Sequence, residues 1–96
     1  MRLAILLHHP DETPDMFADA LLAEGAKLDL YAAHEGALPN AKAYQGFVLM
    51  GGPQSAGDAQ LAAERAWLRA TLARGAPVLG VCLGAQLMAL AAGGAV

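Results

Sequence analysis

The residues best suited to do chemistry lie around the only cysteine, Cys82. Glycines stand two positions before it and two positions after it, at Gly80 and Gly84. The segment joins an apolar run, 77–81, to a stretch of helical composition, 83–92. A nucleophile between glycines at a strand-to-helix turn is the layout of a nucleophile elbow, because larger flanking side chains would obstruct the turn. We therefore predict a nucleophile at Cys82 and a structural elbow at Gly80 and Gly84.

The simpler interpretation of a lone cysteine is a small buried hydrophobe. One cysteine can form neither an internal disulfide nor the sulfur cluster of a structural zinc site, and we predict no metal or cofactor. At the start of a helix, unpaired backbone N–H groups and the helix dipole would favour an anionic sulfur. The flanking glycines and their strand-helix setting favour the nucleophile over the buried hydrophobe.

Two further segments are candidates for the same site. Gly51 and Gly52 end an apolar run and allow close backbone approach, so the Gly52 N–H could pair with the Leu83 N–H as an oxyanion hole. The alternative for this segment is an ordinary Gly-Pro turn. Gln86 lies one helical turn after Cys82 and is a candidate substrate contact, or a surface glutamine facing solvent.

Hydrophobic patterning predicts the elements that position these residues. Unbroken apolar runs predict buried strands at 3–7 and 47–50. An alternating run predicts a wetter strand near a sheet edge at 28–31, and 77–81 is predicted to be a fourth strand. Helices are predicted between them, one beginning at Pro14 after a Thr13 cap and ending at Gly25, one capped by Asp58 and ending at Gly75. Residues 35–45 are predicted to be a loop, and 93–96 a turn into another strand.

Strands that alternate with helices predict an α/β fold with a mostly parallel sheet and a site at the carboxyl ends of the strands. We expect a flavodoxin-like three-layer sandwich, truncated after the helix that follows Cys82. The 96 residues then form one partial domain, 1–96.

Composition restricts the possible partners. The chain is 56% hydrophobic with a net charge of −3, which indicates a folded segment without a basic surface for nucleic acid. Residues 76–96 lack charge and are long enough to cross a bilayer, but glycines and a proline divide them, so a buried core segment is favoured over a membrane span. The short apolar run at the amino terminus does not indicate export, and the single cysteine suits a cytoplasmic location.

Two stretches in the predicted order carry a specific resemblance. VLMGGPQSAGD (48–58), followed by PVLGVCLGAQLMALAAGGAV (77–96), resembles a class I glutamine amidotransferase of the GMP-synthase-like branch. The resemblance implies that Cys82 attacks the side-chain amide of L-glutamine, giving a glutamyl thioester and ammonia for a synthetase domain or subunit. It also implies that Gly52 and Leu83 supply the oxyanion N–H groups and that Gln86, Gly51 and Gly52 hold glutamine.

The family also carries a His-x-Glu pair near the end of its domain, in which histidine is the general base. No such pair follows Cys82 here, so we predict that the isolated chain has negligible glutaminase turnover. The histidines are His8, His9 and His34, all upstream. His8 and His9 follow the first strand on the expected active edge, and a polar loop there is favoured over a substitute base.

Two other functions stay open on sequence grounds. A cysteine enzyme of the DJ-1/PfpI-like kind, acting on small carbonyl compounds, also has an elbow cysteine, but a histidine normally follows it where this chain has Leu83. A non-enzymatic interaction fragment is the other alternative, because an open sheet would bind a completing C-terminal segment or a second copy.

Overall fold

Strands and helices alternate along the chain as the patterning predicts. The computed structural model describes residues 1–10 and 15–93. The strands are Arg2–Leu7 (β1), Lys27–Ala32 (β2), Gly46–Leu49 (β3) and Val78–Gly80 (β4). The helices are Asp15–Ala23 (α1), Ala62–Ala73 (α2) and Leu83–Ala91 (α3), and short 3-10 turns cover Ala33–Glu35, Ala41–Ala43 and Ala59–Leu61.

The four described strands form one parallel sheet in the order β2-β1-β3-β4. The apolar runs of β1 and β3 lie in the centre, where both faces of a strand are covered, whereas the apolar run of β4 lies at an edge. The alternating run, β2, lies at an edge as predicted, with Leu30 exposed. The predicted α/β, flavodoxin-like fold is confirmed, and the carboxyl ends of all four strands meet at one edge of the sheet.

The larger core fixes α2 and α3 against one face of this sheet. Its fully buried members include Leu6, Leu49, Leu68 and Leu87. A smaller cluster on the opposite face contains Ile5, Val48 and Met50. Burial of one such side chain stabilises the fold by about 1.5–3 kcal/mol. These contacts therefore hold the two helices in place relative to the strand ends.

The outer edge of the sheet is open at β4. Among the described residues only β3 pairs with β4, and Leu79 is 51% exposed. An open edge of this kind leaves backbone groups available to another strand. A completing segment or self-association stays a prediction.

The helix ends follow the predictions in part. Gly25 and Gly75 have φ of 84° and 77°, which suits glycine at a helix end. Asp58 is the residue before the 3-10 turn Ala59–Leu61, which runs directly into α2, so the predicted position of the helix start is confirmed. Its side chain makes no cap hydrogen bond, and the carboxylate instead accepts from the Ser55 N–H at 3.1 Å. This local hydrogen bond between Ser55 and Asp58 competes with the cap for the Asp58 carboxylate. The predicted Thr13–Pro14 helix start and the turn at 94–96 lie outside the described residues.

Within the described ranges, no helix is long and apolar enough to cross a membrane. The helical part of the uncharged carboxyl-terminal stretch, Leu83–Ala91, has nine residues. A bilayer span needs about 20.

An ion pair ties β1 to β2 on the surface, and it makes stability depend on pH. The Tyr44 hydroxyl donates to the Asp29 carboxylate at 2.7 Å and the Arg2 guanidinium donates to it at 2.9 Å. These contacts, Tyr44 first, lower the pKa of Asp29 below its ordinary value. A lowered carboxyl pKa stabilises the fold above the ordinary value of about 4, and this contribution is lost as pH falls through the lower folded value.

We therefore expect Asp29→Asn to lower the melting temperature slightly at neutral pH, since the carboxylate is solvent-screened. The difference from wild type should shrink as the pH falls below about 4. Melting curves across this range test it, with Asp19→Asn, on the surface of α1, as the control. A difference that grows on acidification would contradict the expectation.

Candidate active site

Cys82 occupies a sharp turn between β4 and α3. Its backbone has φ 49° and ψ −108°, and it is the only non-glycine residue with positive φ among those described. Such a conformation costs an L-residue about 1–3 kcal/mol and persists only where the surroundings impose it. The side chain is exposed, so the interpretation as a buried hydrophobe is wrong. This is the geometry of a nucleophile elbow.

The flanking glycines are required because main chain lies where their side chains would be. A β-carbon on Gly80 would lie 2.6 Å from the Ala85 nitrogen. On Gly84 it would overlap the Leu49 carbonyl oxygen and lie 2.8 Å from the Leu49 β-carbon. The elbow can therefore pack against β3 only while positions 80 and 84 lack side chains.

Backbone hydrogen bonds hold the elbow against β3 and start α3. The Val81 N–H donates to the Leu49 carbonyl at 2.9 Å, and the Gly84 N–H donates to the Val81 carbonyl at 2.9 Å. The Gln86 N–H donates to the Cys82 carbonyl at 3.1 Å, which opens the helical ladder. The thiol consequently sits at the amino-terminal end of α3, on the edge where the parallel strands end.

The Gly51–Gly52 segment reaches the same edge. A β-carbon on Gly52 would lie 3.2 Å from the Leu83 side chain and 2.6 Å from the His8 β-carbon. Outside helices and strands, the described backbone bonds use neither the Gly52 N–H nor the Leu83 N–H as a donor. The structure therefore places Gly52 beside the side chain of Leu83, the residue that follows the cysteine.

Gln86 is exposed one turn beyond the exposed Cys82. Gly51, by contrast, is buried and serves as the link between β3 and Gly52. Its N–H is likewise absent from the described bonds between elements, whereas the Met50 N–H continues the sheet by donating to the Leu6 carbonyl at 3.0 Å. The chain leaves the sheet at Gly51.

Residues 8 and 9 lie in a bend after β1, as expected, but the burial of His8 differs from the expectation of a polar loop. His8 is completely buried, with Nδ1 2.8 Å from the Met50 carbonyl and Nε2 2.6 Å from the Glu64 carboxylate. With both ring nitrogens engaged inside the protein, His8 is poorly placed to act as a base on Cys82. His34 Nδ1 lies 3.1 Å from the Leu7 carbonyl, and His9 is half-buried.

Sequence reasoning missed Glu64, which is 2% exposed on α2. A signal was present, because position 64 follows Leu61 by three residues and precedes Leu68 by four. Those spacings put Glu64 on the same buried helix face as the two leucines.

Together these features describe an α/β protein that presents an exposed cysteine on a sharp strand-to-helix turn at the carboxyl edge of its parallel sheet. The sequence model of the family described as glutamine amidotransferase class-I matches residues 11–96. The chain therefore belongs to the class-I glutamine amidotransferase family.

Solved structures agree with this assignment. A glutamine amidotransferase from Methylobacillus flagellatus is 33% identical, with a TM-score of 0.83 over 95% of this chain and 38% of its own. A glutamine amidotransferase from Thermotoga maritima is 25% identical, with a TM-score of 0.88 over 97% of this chain and 43% of its own. The chain thus spans less than half the length of each, and no curated protein matches it.

Proposed function

We propose that this chain supplies the nucleophile for cleavage of the glutamine side-chain amide, with Cys82 in that role. The observation that carries the proposal is the exposed cysteine at φ 49° at the start of α3, followed by Leu83, whose side chain packs against Gly52. Family membership gives the substrate class, L-glutamine. The same proposal includes membership of the GMP-synthase-like branch, which the motif around Gly51 supports. It also includes a cytoplasmic location, which the single cysteine supports.

In the proposed reaction the Cys82 thiolate attacks the side-chain carbonyl carbon of glutamine and forms a C–S bond. The carbonyl electrons move onto oxygen, and the N–H groups of Gly52 and Leu83 donate to that oxyanion. When the oxyanion collapses, the C–N bond breaks and the nitrogen takes from solvent water the proton that the thiol had given up, releasing ammonia and leaving a glutamyl thioester. Water then hydrolyses the thioester to glutamate.

The remaining site residues have binding roles in this proposal. Gln86, exposed in the first turns of α3, offers its side-chain amide to the amino-acid end of glutamine. Gly51 and Gly52 have no side chains, so the substrate can approach their backbone closely. The ammonia is consumed by a synthetase domain or subunit, as in the family. The domain assignment, residues 1–96 as the nucleophile-bearing part of a longer family domain, is consistent with the share of the solved structures that it spans.

The chloromethyl ketone analogue of glutamine tests the proposal. Cys82 sulfur displaces chloride from this reagent, so a C–S bond forms as the C–Cl bond breaks. We expect the L-enantiomer to alkylate Cys82 at least about 10-fold faster than the D-enantiomer, because only a site that orients the reagent can discriminate between them. 2-Mercaptoethanol, an achiral thiol, is the control and must react with both enantiomers at the same rate.

Equal rates for the two enantiomers would contradict the proposal. Steady-state ammonia release from glutamine should meanwhile be negligible for this chain alone, because no described side chain is placed as a base on Cys82. Robust release would contradict the role assigned to the His-x-Glu pair of the family.

A further inference from the structure

A buried histidine–carboxylate pair lies behind the Gly52 side of the candidate site. The His8 side chain is 0% exposed and that of Glu64 is 3% exposed. His8 follows β1 and Glu64 lies on α2, so their 2.6 Å contact joins an element of the sheet to a helix packed on it. The other Glu64 oxygen, Oε1, is buried without a hydrogen-bond partner in the described structure. Burying a histidine and a carboxylate costs free energy of desolvation, so a role for the pair beyond stability is worth seeking.

The hydrogen positions on His8 follow from its partners. A backbone carbonyl only accepts, so Nδ1, which lies 2.8 Å from the Met50 oxygen, must carry the hydrogen and donate it. The contact between Nε2 and Glu64 Oε2 then needs one hydrogen between the two atoms. Rotating the ring would break both contacts at once, and Glu64 thereby fixes the direction in which Nδ1 points.

The Met50 carbonyl in turn controls the segment that carries the Gly52 N–H. Its peptide plane includes the Gly51 nitrogen, because the peptide bond is planar. Met50 is held on both sides, since its N–H donates to the Leu6 carbonyl at 3.0 Å and its carbonyl accepts from His8. The Gly52 N–H lies in the next peptide plane, between Gly51 and Gly52. Only the two backbone dihedrals of Gly51 lie between that plane and the fixed Met50–Gly51 plane.

Two further contacts bring His8 to the same loop. The Gln54 side-chain nitrogen donates to the His8 carbonyl at 2.7 Å, which ties the chain after Gly52 back to the end of β1. The His8 β-carbon also lies 2.6 Å from where a Gly52 side chain would begin. His8 is therefore packed against the loop on one side and bonded to it at both ends.

We infer that His8, oriented by Glu64, is a positioning residue that sets the direction of the Gly52 N–H at the Cys82 site. This inference rests on the proposed function for its chemical consequence, but its structural part is independent. Donors to a developing oxyanion act only when held within about 0.5 Å of their working position, so a residue behind the loop can change the reaction without touching the substrate.

The test exploits two amide side chains that each reproduce one ring nitrogen. Asparagine places its nitrogen two bonds beyond Cβ, like Nδ1, and glutamine places its nitrogen three bonds beyond, like Nε2. His8→Asn therefore keeps a donor for Met50, whereas His8→Gln keeps a partner for position 64 and loses that donor. Both are made in a Glu64→Gln background, which avoids leaving a buried carboxylate unpaired.

The first measurement is the rate of Cys82 alkylation by the L-chloromethyl ketone divided by the rate with iodoacetamide, at a temperature where every variant is folded. We expect this ratio to fall about 10-fold or more in the His8→Gln variant and to be largely retained in His8→Asn. His34→Gln, which removes a histidine outside the pair, should leave the ratio unchanged. Equal ratios in the two His8 variants, or ratios that simply follow melting temperature, would overturn the inference.

The second measurement does not depend on glutamine chemistry. Amide order parameters at Gly51 and Gly52 should stay at about 0.85 in His8→Asn and drop to about 0.6 in His8→Gln. If wild type shows no enantiomer preference yet these order parameters diverge, the proposed function fails and the positioning role stands. If the preference is present and the order parameters stay equal, the positioning role is wrong and the proposed function stands.

Discussion

Alanine at position 84 is expected to lower the free energy of unfolding by about 3 kcal/mol, because its methyl group would enter the Leu49 carbonyl. The site is tight on the main-chain side, where neither partner can rotate away: the added carbon would overlap Leu49 O and lie 2.8 Å from Leu49 C. Relief requires α3 to move off β3. Urea unfolding of Gly84→Ala and wild type measures the difference.

Gly57→Ala is the matched control, because nothing lies within 4 Å of the position its methyl group would take. It should change the free energy of unfolding by no more than about 0.5 kcal/mol. If Gly84→Ala proved as stable as Gly57→Ala, the close packing of the elbow against β3 would be wrong.

Replacing His8 with leucine is expected to cost about 3–5 kcal/mol, because Glu64 would be left buried without its partner. The carboxyl side chain is 3% exposed and its second oxygen has no hydrogen-bond partner among the described residues, so His8 is the main described compensation for its burial. Equilibrium unfolding of His8→Leu measures the loss.

A second substitution separates the lost pairing from lost packing. His8→Leu combined with Glu64→Met should recover most of the stability, because an apolar pair of similar size has no desolvation penalty to offset. A double variant as unstable as His8→Leu would show that the volume of the ring, and not the pairing, accounts for the cost.

Much of the site was predictable because its signals are local in sequence. The glycines at 80 and 84 and the strand-to-helix change around Cys82 lie within a few residues of one another, and a tight turn leaves few alternatives. The meeting of Gly52 with Leu83 was also predictable, because carboxyl ends of parallel strands share one edge.

The His8–Glu64 pair was not predicted, because its partners are 56 positions apart and nothing local links them. His8 looked like a loop residue since it follows an apolar run and precedes His9 and Pro10. The periodicity of α2 marks position 64 as buried, but it does not reveal which element covers it. Asp58 was predicted correctly in position but not in bonding, because two local hydrogen bonds compete for its carboxylate and propensity does not choose between them.

The central claim is that a substrate carbonyl attached to Cys82 receives hydrogen bonds from the Gly52 and Leu83 N–H groups. Amide-resolved NMR of the protein alkylated with the L-chloromethyl ketone tests this most directly, since the adduct keeps a ketone that only one methylene group separates from the sulfur. The reference is protein capped with methyl methanethiosulfonate, which modifies Cys82 without adding a carbonyl. We predict that the Gly52 and Leu83 amide protons move downfield only in the ketone adduct, with Gly57 unchanged. A complete ketone adduct in which neither amide proton moves would contradict the account.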